Sequence, residues 1–353
     1  MLLLNLSPIY KKCGLLLRKS SSLEKELDIN KSKFEYINMN LMIYCNNHLL
    51  LLFKINEYKL EKFKKSFDYE FIKNKLENEN NKNEKEVCYY CGKLTNKNKN
   101  FINEIFKGEM IEVGEINKME ILGIDYVNNN YNFFILPKQS INELIKVGDS
   151  HEIINKKINI NLKKDLYPFI LVKVLEGISI YKVESKDKIF KLSGNSFGST
   201  LLMGLLNLIC GYDDAENIVK DAIIGNNKEI DLSVGDIYGC YYINFSLDRI
   251  GSSFGKIGIK DAENLDKKGI AKSLLILYAS ITTHAASLQS KKEGINKIIL
   301  VGDPFNNNLL LLQLFQTYTE YFSNNKVHQN FNEYTDYFEI IGMFQELNNK
   351  KFL

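Results

Sequence analysis

The sequence predicts an α/β protein with two lobes, and three observations lead to this class. Phe169–Val174 is a continuous apolar run, which is typical of a strand buried on both faces. Ile178–Val183 follows a Glu-Gly break and alternates like a returning strand, and residues 201–209 have the composition of an apolar helix. The chain has 353 residues, which is enough for two lobes with a sizeable core.

The charge of the chain is nearly balanced, with 46 basic and 43 acidic residues and a net charge of +3. With charges this evenly balanced, the chain lacks the excess of basic residues that is typical of proteins that bind nucleic acid or membrane surfaces. No apolar run reaches the length of a membrane span. Pro8 and Lys11-Lys12 interrupt the apolar N-terminus, which lacks the basic start of a signal peptide. We therefore expect a cytoplasmic protein with neither nucleic acid nor membrane as a partner.

Six cysteines, at positions 13, 45, 88, 91, 210 and 240, include one C-x-x-C pair, Cys88-Tyr-Tyr-Cys91. A structural zinc site needs a second pair of ligands, and the four histidines show no close His-x-His spacing. We therefore predict reduced structural cysteines and no metal site.

The first half of the chain alternates strand and helix patterns. Leu2–Leu17 predicts a β-hairpin with its turn at Ser7-Pro8, and Ser22 is the predicted N-cap of the polar helix that follows. The further elements predicted here are strands at Leu41–Cys45, Leu49–Ile55 and Val87–Cys91, and helices at Ser20–Lys33, Asn56–Glu77 and Phe101–Lys107.

The second half begins with a short strand pair at Tyr131–Leu136 and a lysine-rich linker, which places the lobe boundary near residues 150 to 165. This predicts an N-terminal lobe of residues 1–160 and a C-terminal lobe of residues 161–353. The further predicted elements are strands at Ile189–Leu192 and Ile298–Val301, and helices at Ala215–Ile224, Asn264–Gln289, Asn308–Phe322 and Tyr337–Leu347.

A turn of small residues, Ser193-Gly-Asn-Ser-Phe-Gly-Ser-Thr200, opens the apolar helix of the second lobe. Backbone N–H groups at such a turn, together with the positive end of the helix dipole, can hold a phosphate. Gly194, Ser196 and Gly198 are therefore candidate phosphate-binding residues.

Five segments of the chain occur in an order that is known from one enzyme family. They are the hairpin with its Gly/Ser turn and helix, Asp236-Ile-Tyr-Gly239, Ser252-Ser-Phe-Gly255, the strand that ends at Gly302, and Tyr337-Phe338 with Gly342. With these segments the chain resembles the eukaryotic-type (type II) pantothenate kinases over about half its length. The resemblance implies a two-lobed actin/hexokinase/acetate-kinase-like (ribonuclease H-like) kinase fold.

The resemblance also implies an activity, ATP-dependent phosphorylation of pantothenate in the first step of coenzyme A biosynthesis. ATP and Mg²⁺ are the implied cofactors. The implied assembly is a homodimer or a heterodimer with a paralogous pantothenate kinase. Asn264–Gln289 has an apolar face broad enough to serve as its interface.

Residue roles follow from the same resemblance. Glu115 falls on the family's catalytic glutamate, in a register that is fixed to within one residue because Gly123 aligns in two ways. Lys12, Gly177 and the 194–200 turn fall on phosphate contacts, and Gly302 falls on the edge of the adenosine site. The positions that correspond to pantothenate contacts are Ser179 and Lys191, together with Ile250 and Gly251, which fall where the family's second subunit contacts pantothenate.

The glycine loops of the family are eroded in this chain. Glycines let a backbone approach a polyphosphate, and proline removes an N–H donor, so weaker ATP binding is expected. Lys191 stands where the family has an arginine, which keeps the charge but loses the bidentate fork. The eroded positions are Asn5, Ser7 and Pro8 in the first loop, the loop that keeps only Gly92, and Leu175 and Glu176 in the central hairpin.

Two functions therefore stay open from the sequence. The chain is a pantothenate kinase, or it is a catalytically weak or inactive subunit that pairs with an active paralogue. A sugar kinase of the same superfold is disfavoured by the Ser252–Gly255 and Asp236–Gly239 segments.

Overall fold

The computed structural model describes residues 1–5, 10–18, 20–45, 48–56, 59–78, 87–92, 94–105, 108–138, 156–213, 215–239, 245–259, 265–302 and 308–350. The chain forms two compact units: unit 1 comprises residues 1–131 and 336–353, and unit 2 comprises residues 132–335. The predicted division at residue 160 is revised accordingly. Residues 336–353 fold with the N-terminal strands, and residues 132–160 belong to unit 2.

The strands of the described residues are β1 (Leu2–Asn5), β2 (Tyr10–Arg18), β3 (Ile37–Cys45), β4 (His48–Asn56), β5 (Val87–Cys91), β6 (Glu109–Gly114), β7 (Phe133–Ile135), β8 (Ile158–Ile160), β9 (Phe169–Val174), β10 (Ile178–Ser185), β11 (Lys188–Asn195), β12 (Leu232–Ser233), β13 (Ile250–Ser252), β14 (Lys297–Val301) and β15 (His328–Asn330).

The α-helices of the same residues are α1 (Ser21–Asn30), α2 (Leu60–Lys64), α3 (Phe67–Asn78), α4 (Asn96–Ile105), α5 (Ile116–Asn130), α6 (Ser199–Cys210), α7 (Ala215–Ile224), α8 (Val234–Tyr238), α9 (Lys267–Glu293), α10 (Leu309–Phe322) and α11 (Phe338–Asn349).

Unit 1 is built on a six-stranded sheet with the order β3-β4-β2-β1-β5-β6. β1 pairs antiparallel with β2 and parallel with β5, and β5 pairs parallel with β6. The central strands are covered on both faces, since the five consecutive residues 49–53 of β4 are all buried. This explains why these strands have continuous apolar runs instead of alternating patterns.

Unit 2 is built on a five-stranded sheet with the order β11-β10-β9-β14-β15. β9 lies at its centre, antiparallel to β10 and parallel to β14. All six residues of β9 are buried, which confirms Phe169–Val174 as a strand covered on both faces.

The two sheets share one topology. In unit 2 the strands run in the order third, second, first, fourth, fifth, with an antiparallel meander followed by parallel strands. Unit 1 has the same order, with β4 in the third position and β3 added as an edge strand. This is the strand order of the ribonuclease H-like fold, so the predicted α/β class and fold are confirmed.

Helices α5 and α11 cross at glycines in unit 1. A Cβ on Gly123 would fall on the carbonyl group of Phe338, and a Cβ on Gly342 would fall on the carbonyl oxygen of Met119. Only a hydrogen atom fits at either position. The two glycines therefore set how closely the helix backbones approach.

Buried charges fix α11 on the sheet of unit 1. Lys12 of β2 lies opposite Lys54 of β4, and residues 336–339 supply one carboxylate to each. Lys12 Nζ lies 3.4 Å from both carboxylate oxygens of Glu339, and these side chains are 6% and 1% exposed. Lys54 pairs with Asp336. Because the charges of Lys12 and Glu339 are buried and must compensate each other, this pair specifies where α11 packs. The Lys54 side chain is 28% exposed, so its pair with Asp336 adds less to that choice.

The longest helix, α9, runs through the core of unit 2 and packs on α6, α7 and α10. The chain's own helices cover part of its apolar face, and the interface that the sequence predicts on this helix stays a prediction. Leu274 is buried, Leu277, Ile281 and Ala285 are half-buried, and Leu288 is 55% exposed.

Local capping moves other boundaries. Ser20, not Ser22, caps α1, because its Oγ accepts the Leu23 N–H at 3.1 Å. The predicted helix over 56–77 is two helices, α2 and α3, since Ser66 Oγ accepts the Tyr69 N–H at 3.2 Å. The predicted N-terminal hairpin is confirmed as β1 and β2, and its turn lies outside the described residues.

Within the described ranges, no helix is both long enough and apolar enough to span a membrane. Cys13, Cys88, Cys91 and Cys210 are buried, and none of these four forms a disulfide. Burial raises the pKa of the Cys88 thiol to about 12, which makes it an unreactive structural residue.

The glycine crossing generates a stability test on two helical glycines. We expect Gly342→Ala to lower the free energy of unfolding by about 2–3 kcal/mol, because its methyl group forces α5 and α11 apart. Gly204→Ala is the matched control, since nothing lies within 4 Å of a Cβ on this glycine of α6. Gly204→Ala should raise the free energy of unfolding by up to about 1 kcal/mol, because alanine has a higher helix propensity than glycine. Urea unfolding measures the free energy of unfolding of both variants. Equal changes in the two would contradict the close approach of α5 and α11 at Gly342.

Candidate functional site

The candidate residues of unit 2 converge on the β9–β10 turn, residues 175–177. A Cβ on Gly177 would fall on the carbonyl oxygen of Asn195, and a Cβ on Gly198 would fall on the carbonyl oxygen of Leu175. A Cβ on Gly194 would lie 2.6 Å from the carbonyl oxygen of Ile178. These three glycines therefore let the turn, the end of β11 and the start of α6 pack backbone against backbone.

The first residue of α6 holds this turn by hydrogen bonds. Ser199 donates to the Leu175 carbonyl oxygen from both its backbone N–H, at 2.9 Å, and its Oγ, at 2.8 Å. The Leu175 N–H donates to the Gly177 carbonyl oxygen at 3.0 Å. The backbone N–H of Ser199 belongs to the turn that the sequence predicts to hold a phosphate, but it is bonded to the chain's own backbone.

Gly302 lies at the end of β14 with φ of +88°, a conformation that favours glycine. Its open face is covered by the side chain of Leu175, whose Cδ2 atom lies 2.8 Å from the position of a Cβ on Gly302. By the family resemblance, Leu175 stands where a glycine is expected, and Gly302 is expected to border adenosine. The leucine therefore fills space at the residue that was expected to border the nucleotide.

The predicted small-residue turn begins later than expected. Ser193, Gly194 and Asn195 belong to β11, where Gly194 lies opposite Ser179 of β10. Their pairing with β10 extends the strand beyond the predicted end at Leu192. Ser196 is exposed, and α6 begins at Ser199 after Gly198 as its N-cap.

Lys191 lies on β11 opposite Tyr181, and its side chain is exposed. Because β11 is the edge of the sheet, no neighbouring strand orients the lysine from its outer side. A lysine there offers a mobile point charge.

The two candidate residues of unit 1 have different environments. Glu115 is the N-cap of α5, between β6 and the helix, and its carboxylate is exposed and makes no capping hydrogen bond. Lys12 is buried in its ion pair with Glu339. Of these two residues of unit 1, Glu115 makes no hydrogen bond to the start of α5, whereas Lys12 is paired with a carboxylate.

Ile250 and Gly251 lie in β13, which pairs with β12. A buried carboxylate supports the turn that follows. Asp231 accepts hydrogen bonds from the Phe254 N–H at 2.8 Å, Ser273 Oγ at 2.8 Å and Asn227 Nδ2 at 2.6 Å. Desolvation raises the pKa of Asp231. These bonds hold Phe254 at φ of +57°, which is unusual for a residue with a side chain.

The Asp236-Ile-Tyr-Gly239 segment forms the short helix α8 and its end. Ser233 caps the helix by accepting the Asp236 N–H at 3.0 Å, and the Asp236 carboxylate accepts the Ser233 N–H at 2.8 Å. Lys256 Nζ lies 2.9 Å from the same carboxylate. These contacts lower the pKa of Asp236 to about 2, with the Lys256 hydrogen bond as the main cause. The segment therefore has a structural role beside the Ile250–Ser252 strand.

Two residues near the candidate site were not found from the sequence, Glu339 and Asp231. Glu339 is separated from Lys12 by 327 positions, and Asp231 binds groups up to 42 positions away. No local spacing of residues in the sequence indicates either of these contacts. In the described part of the chain, no three His, Cys, Asp or Glu side chains gather as a metal site.

Comparison with known proteins identifies a family for most of the chain. The model of the family described as Fumble matches residues 18–346. A type II pantothenate kinase of Bacillus anthracis is 31% identical over 160 residues, covering 45% of this chain and 57% of that protein. Pantothenate kinase 1 of Arabidopsis thaliana is 34% identical over 143 residues, covering 39% of this chain and 37% of that protein. The chain spans about half the length of the curated relatives it matches.

Among solved structures, one similar chain is the activator of the 2-hydroxyisocaproyl-CoA dehydratase from Clostridium difficile with bound ADPNP. Its TM-score is 0.44 at 10% sequence identity, over 100% of this chain and 97% of that chain.

The Asp236–Lys256 pair generates a pH prediction. Because the folded pKa of Asp236 lies below its ordinary 3.8, its contribution to stability is present above about pH 4 and is lost as the pH falls towards 2. We expect Asp236→Asn to weaken folding at pH 6, and the difference from wild type to shrink between pH 4 and 2. Urea unfolding against pH measures this, with the exposed Asp187→Asn as control. A difference independent of pH would contradict the assignment.

Proposed function

Because the chain belongs to the Fumble family, the type II pantothenate kinases, we propose that it transfers the γ-phosphoryl group of ATP to the primary hydroxyl of pantothenate. The product is 4'-phosphopantothenate, and the reaction is the first step of coenzyme A biosynthesis. The observation that carries the proposal is the family match over residues 18–346, which includes the hairpin, the α6 start and the strand before Gly302.

Phosphoryl transfer needs positioning and charge stabilisation more than covalent chemistry from the protein. In this proposal the Glu115 carboxylate accepts the proton of the pantothenate hydroxyl as that oxygen attacks the γ-phosphorus. Its exposure at the start of α5 and its lack of a capping bond leave both oxygens available for this role. Lys12, Gly177 and the 194–198 segment, with Gly194, Ser196 and Gly198, contact the phosphates, and Gly302 borders adenosine.

Mg²⁺ neutralises charge on the transferring phosphates when it is bound. The described side chains include no cluster of three metal-ligating residues.

For pantothenate, the proposed contacts are Ser179, Lys191, Ile250 and Gly251. Ser179 lies beside Gly194 in the β10–β11 pairing, next to the proposed phosphate contacts. We infer a cytoplasmic dimer, formed with a second copy or with a paralogous pantothenate kinase.

Two observations favour a second function, a weak or inactive subunit that pairs with an active paralogue. Glu339 compensates the charge of Lys12 inside unit 1, and the Leu175 side chain covers Gly302 inside unit 2. The first leaves less positive charge on Lys12 for the phosphates of ATP. The second leaves less room for adenosine beside Gly302. The test is ATP-dependent phosphorylation of pantothenate by the purified chain, alone and mixed with a paralogous subunit. Activity alone supports the enzyme, and activity only in the mixture supports the subunit role.

The position of Leu175 generates a prediction on ATP affinity. We expect Leu175→Gly, alone or with Glu176→Ser, to tighten ATP binding about tenfold, because the face of Gly302 is freed. Leu175→Met keeps the volume and should leave ATP affinity unchanged. Titration of the purified chain with ATP measures all three. If the chain is only a partner, the same changes leave the kinetics of the mixed complex unaltered.

Glu115 generates a prediction on turnover. We expect Glu115→Gln to lower turnover about 10²–10⁴-fold while pantothenate binding stays intact, since the amide cannot accept the hydroxyl proton. Glu112→Gln, an exposed acid on β6 three residues earlier, is the matched control and should keep full turnover. Turnover and pantothenate binding are measured separately. Unchanged turnover in Glu115→Gln would exclude it as the base.

A further inference from the structure

A cavity of about 280 Å³ lies in unit 2, between the ends of α9 and α10. The connection from α9 to β14 forms one wall, and the connection from α10 to β15 forms the other. Its lining includes Lys291, Ile295, Asn296, Phe322, Asn324 and Lys326. Small-molecule sites begin at volumes of about 300 Å³, so the cavity is large enough for a small organic molecule.

The cavity lies at the opposite end of β14 from the residue proposed to border adenosine. β14 begins at Lys297, directly after the lining residue Asn296, and Gly302 follows its last residue. At about 3.3 Å per residue, the strand separates Asn296 from Gly302 by about 20 Å. The cavity is therefore separate from the Gly302 edge, and a ligand bound in it is independent of the proposed function.

Backbone hydrogen bonds fix the two walls of the cavity. The His328 N–H donates to the Asn296 carbonyl oxygen at 2.9 Å, which joins one connection to the other. Asn324 and Asn325 have φ of +53° and +59°, a region in which asparagine is enriched. The Asn325 N–H donates to the Glu320 carbonyl oxygen at 2.7 Å. The walls are therefore formed before any ligand binds.

The inner side of the cavity is apolar. Ile295 and Val327 are buried and belong to the core of unit 2. The half-buried ring of Phe322 has its centroid 4.6 Å from that of His284 and 5.6 Å from that of Tyr318. Since neighbouring rings fix Phe322, it offers a rigid apolar surface to a ligand.

The rim of the cavity carries positive charge. Lys291 and Lys326 are exposed, and neither forms an ion pair with a described residue. Lys182 and Lys297 of the same unit, in contrast, pair with carboxylates. The acid nearest to Lys291 in the sequence, Glu293, lies 3.3 Å from Lys182 Nζ. Two ammonium groups at the rim are therefore available to an anion.

A lysine in the last turn of a helix also interacts favourably with the helix dipole. Lys291 and Lys292 both occupy the last turn of α9, but Lys291 lines the cavity and Lys292 does not. The Lys291 carbonyl oxygen accepts the N–H of Gly294, which caps the helix. Comparison of the two neighbouring lysines therefore separates ligand binding from the interaction with the helix end.

We propose that this cavity binds a small organic anion with an apolar body. The charged end of the ligand lies between Lys291 and Lys326, and its body packs on Phe322. The side-chain amides of Asn296 and Asn324 add hydrogen-bond donors at the rim. Because lysine offers a point charge without the fork of arginine, a carboxylate, sulfate or phosphate group can serve as the charged end.

Benzoate, benzamide and benzamidine test this proposal, since they share one ring and nearly one shape but are negative, neutral and positive. Binding of each to the full chain at neutral pH is measured by ligand-observed NMR titration. We expect benzoate to bind about fivefold more tightly than benzamide, because each exposed lysine adds a modest attraction, and benzamidine to bind most weakly. Equal binding of the three, or tightest binding of benzamidine, overturns the proposal.

Lysine variants locate the charge. Lys291→Gln and Lys326→Gln should each lower the preference for benzoate over benzamide about twofold, and the double variant should abolish it. Lys292→Gln is the matched control, an exposed lysine at the same helix end, and should retain the wild-type preference. An equal loss in Lys292→Gln and Lys291→Gln overturns the proposal, because the charge then acts through the helix end.

A variant that fills the cavity locates the apolar body of the ligand. Asn296 is exposed at the rim, so Asn296→Phe places a ring in the cavity and should abolish the binding of benzoate and benzamide. Urea unfolding verifies that the variant folds, and the lysine variants carry the test if it does not. Unchanged binding of benzoate to a folded Asn296→Phe chain overturns the proposal. Wild type that binds no benzoate at millimolar concentration also overturns it.

Discussion

The contact between the β9–β10 turn and the start of α6 is the constraint on which the candidate site of unit 2 depends. Its two donors come from Ser199, and both end on the carbonyl oxygen of Leu175. Backbone atoms meet at this contact without intervening side chains, so glycine is required at several adjoining positions. The pairing of Ser179 with Gly194, and the approach of Leu175 to Gly302, follow from where this turn is held.

The same contact gives the glycines of the turn a second meaning. A small-residue loop before a helix indicates a phosphate site, and it equally permits tight packing of protein on protein. Here Gly177, Gly194 and Gly198 serve packing in the structure itself. Such glycines would persist under either of the two proposed functions, because their loss would separate α6 from the sheet.

Unit 1 depends on a different kind of contact. Its C-terminal helix returns after the whole of unit 2 and is positioned by buried charge and by the glycine crossing. A buried ion pair contributes more to the choice of one arrangement than to net stability, because desolvation offsets much of the attraction. In this chain the arrangement also commits Lys12 to Glu339. The ion pair that positions α11 and the proposed phosphate contact thus use the same lysine, Lys12.

The sequence by itself determined the α/β class, the central hairpin and the order of most elements, because apolar period and turn residues act over short distances. Tertiary structure decided the division into units, the partner of Lys12 and the three donors on Asp231. These depend on residues far apart in the chain, and no local pattern encodes which distant side chains will meet. Lys12 makes the difference plain: its charge is visible in the sequence, but its pairing with Glu339 exists only after α11 has packed on the sheet of unit 1.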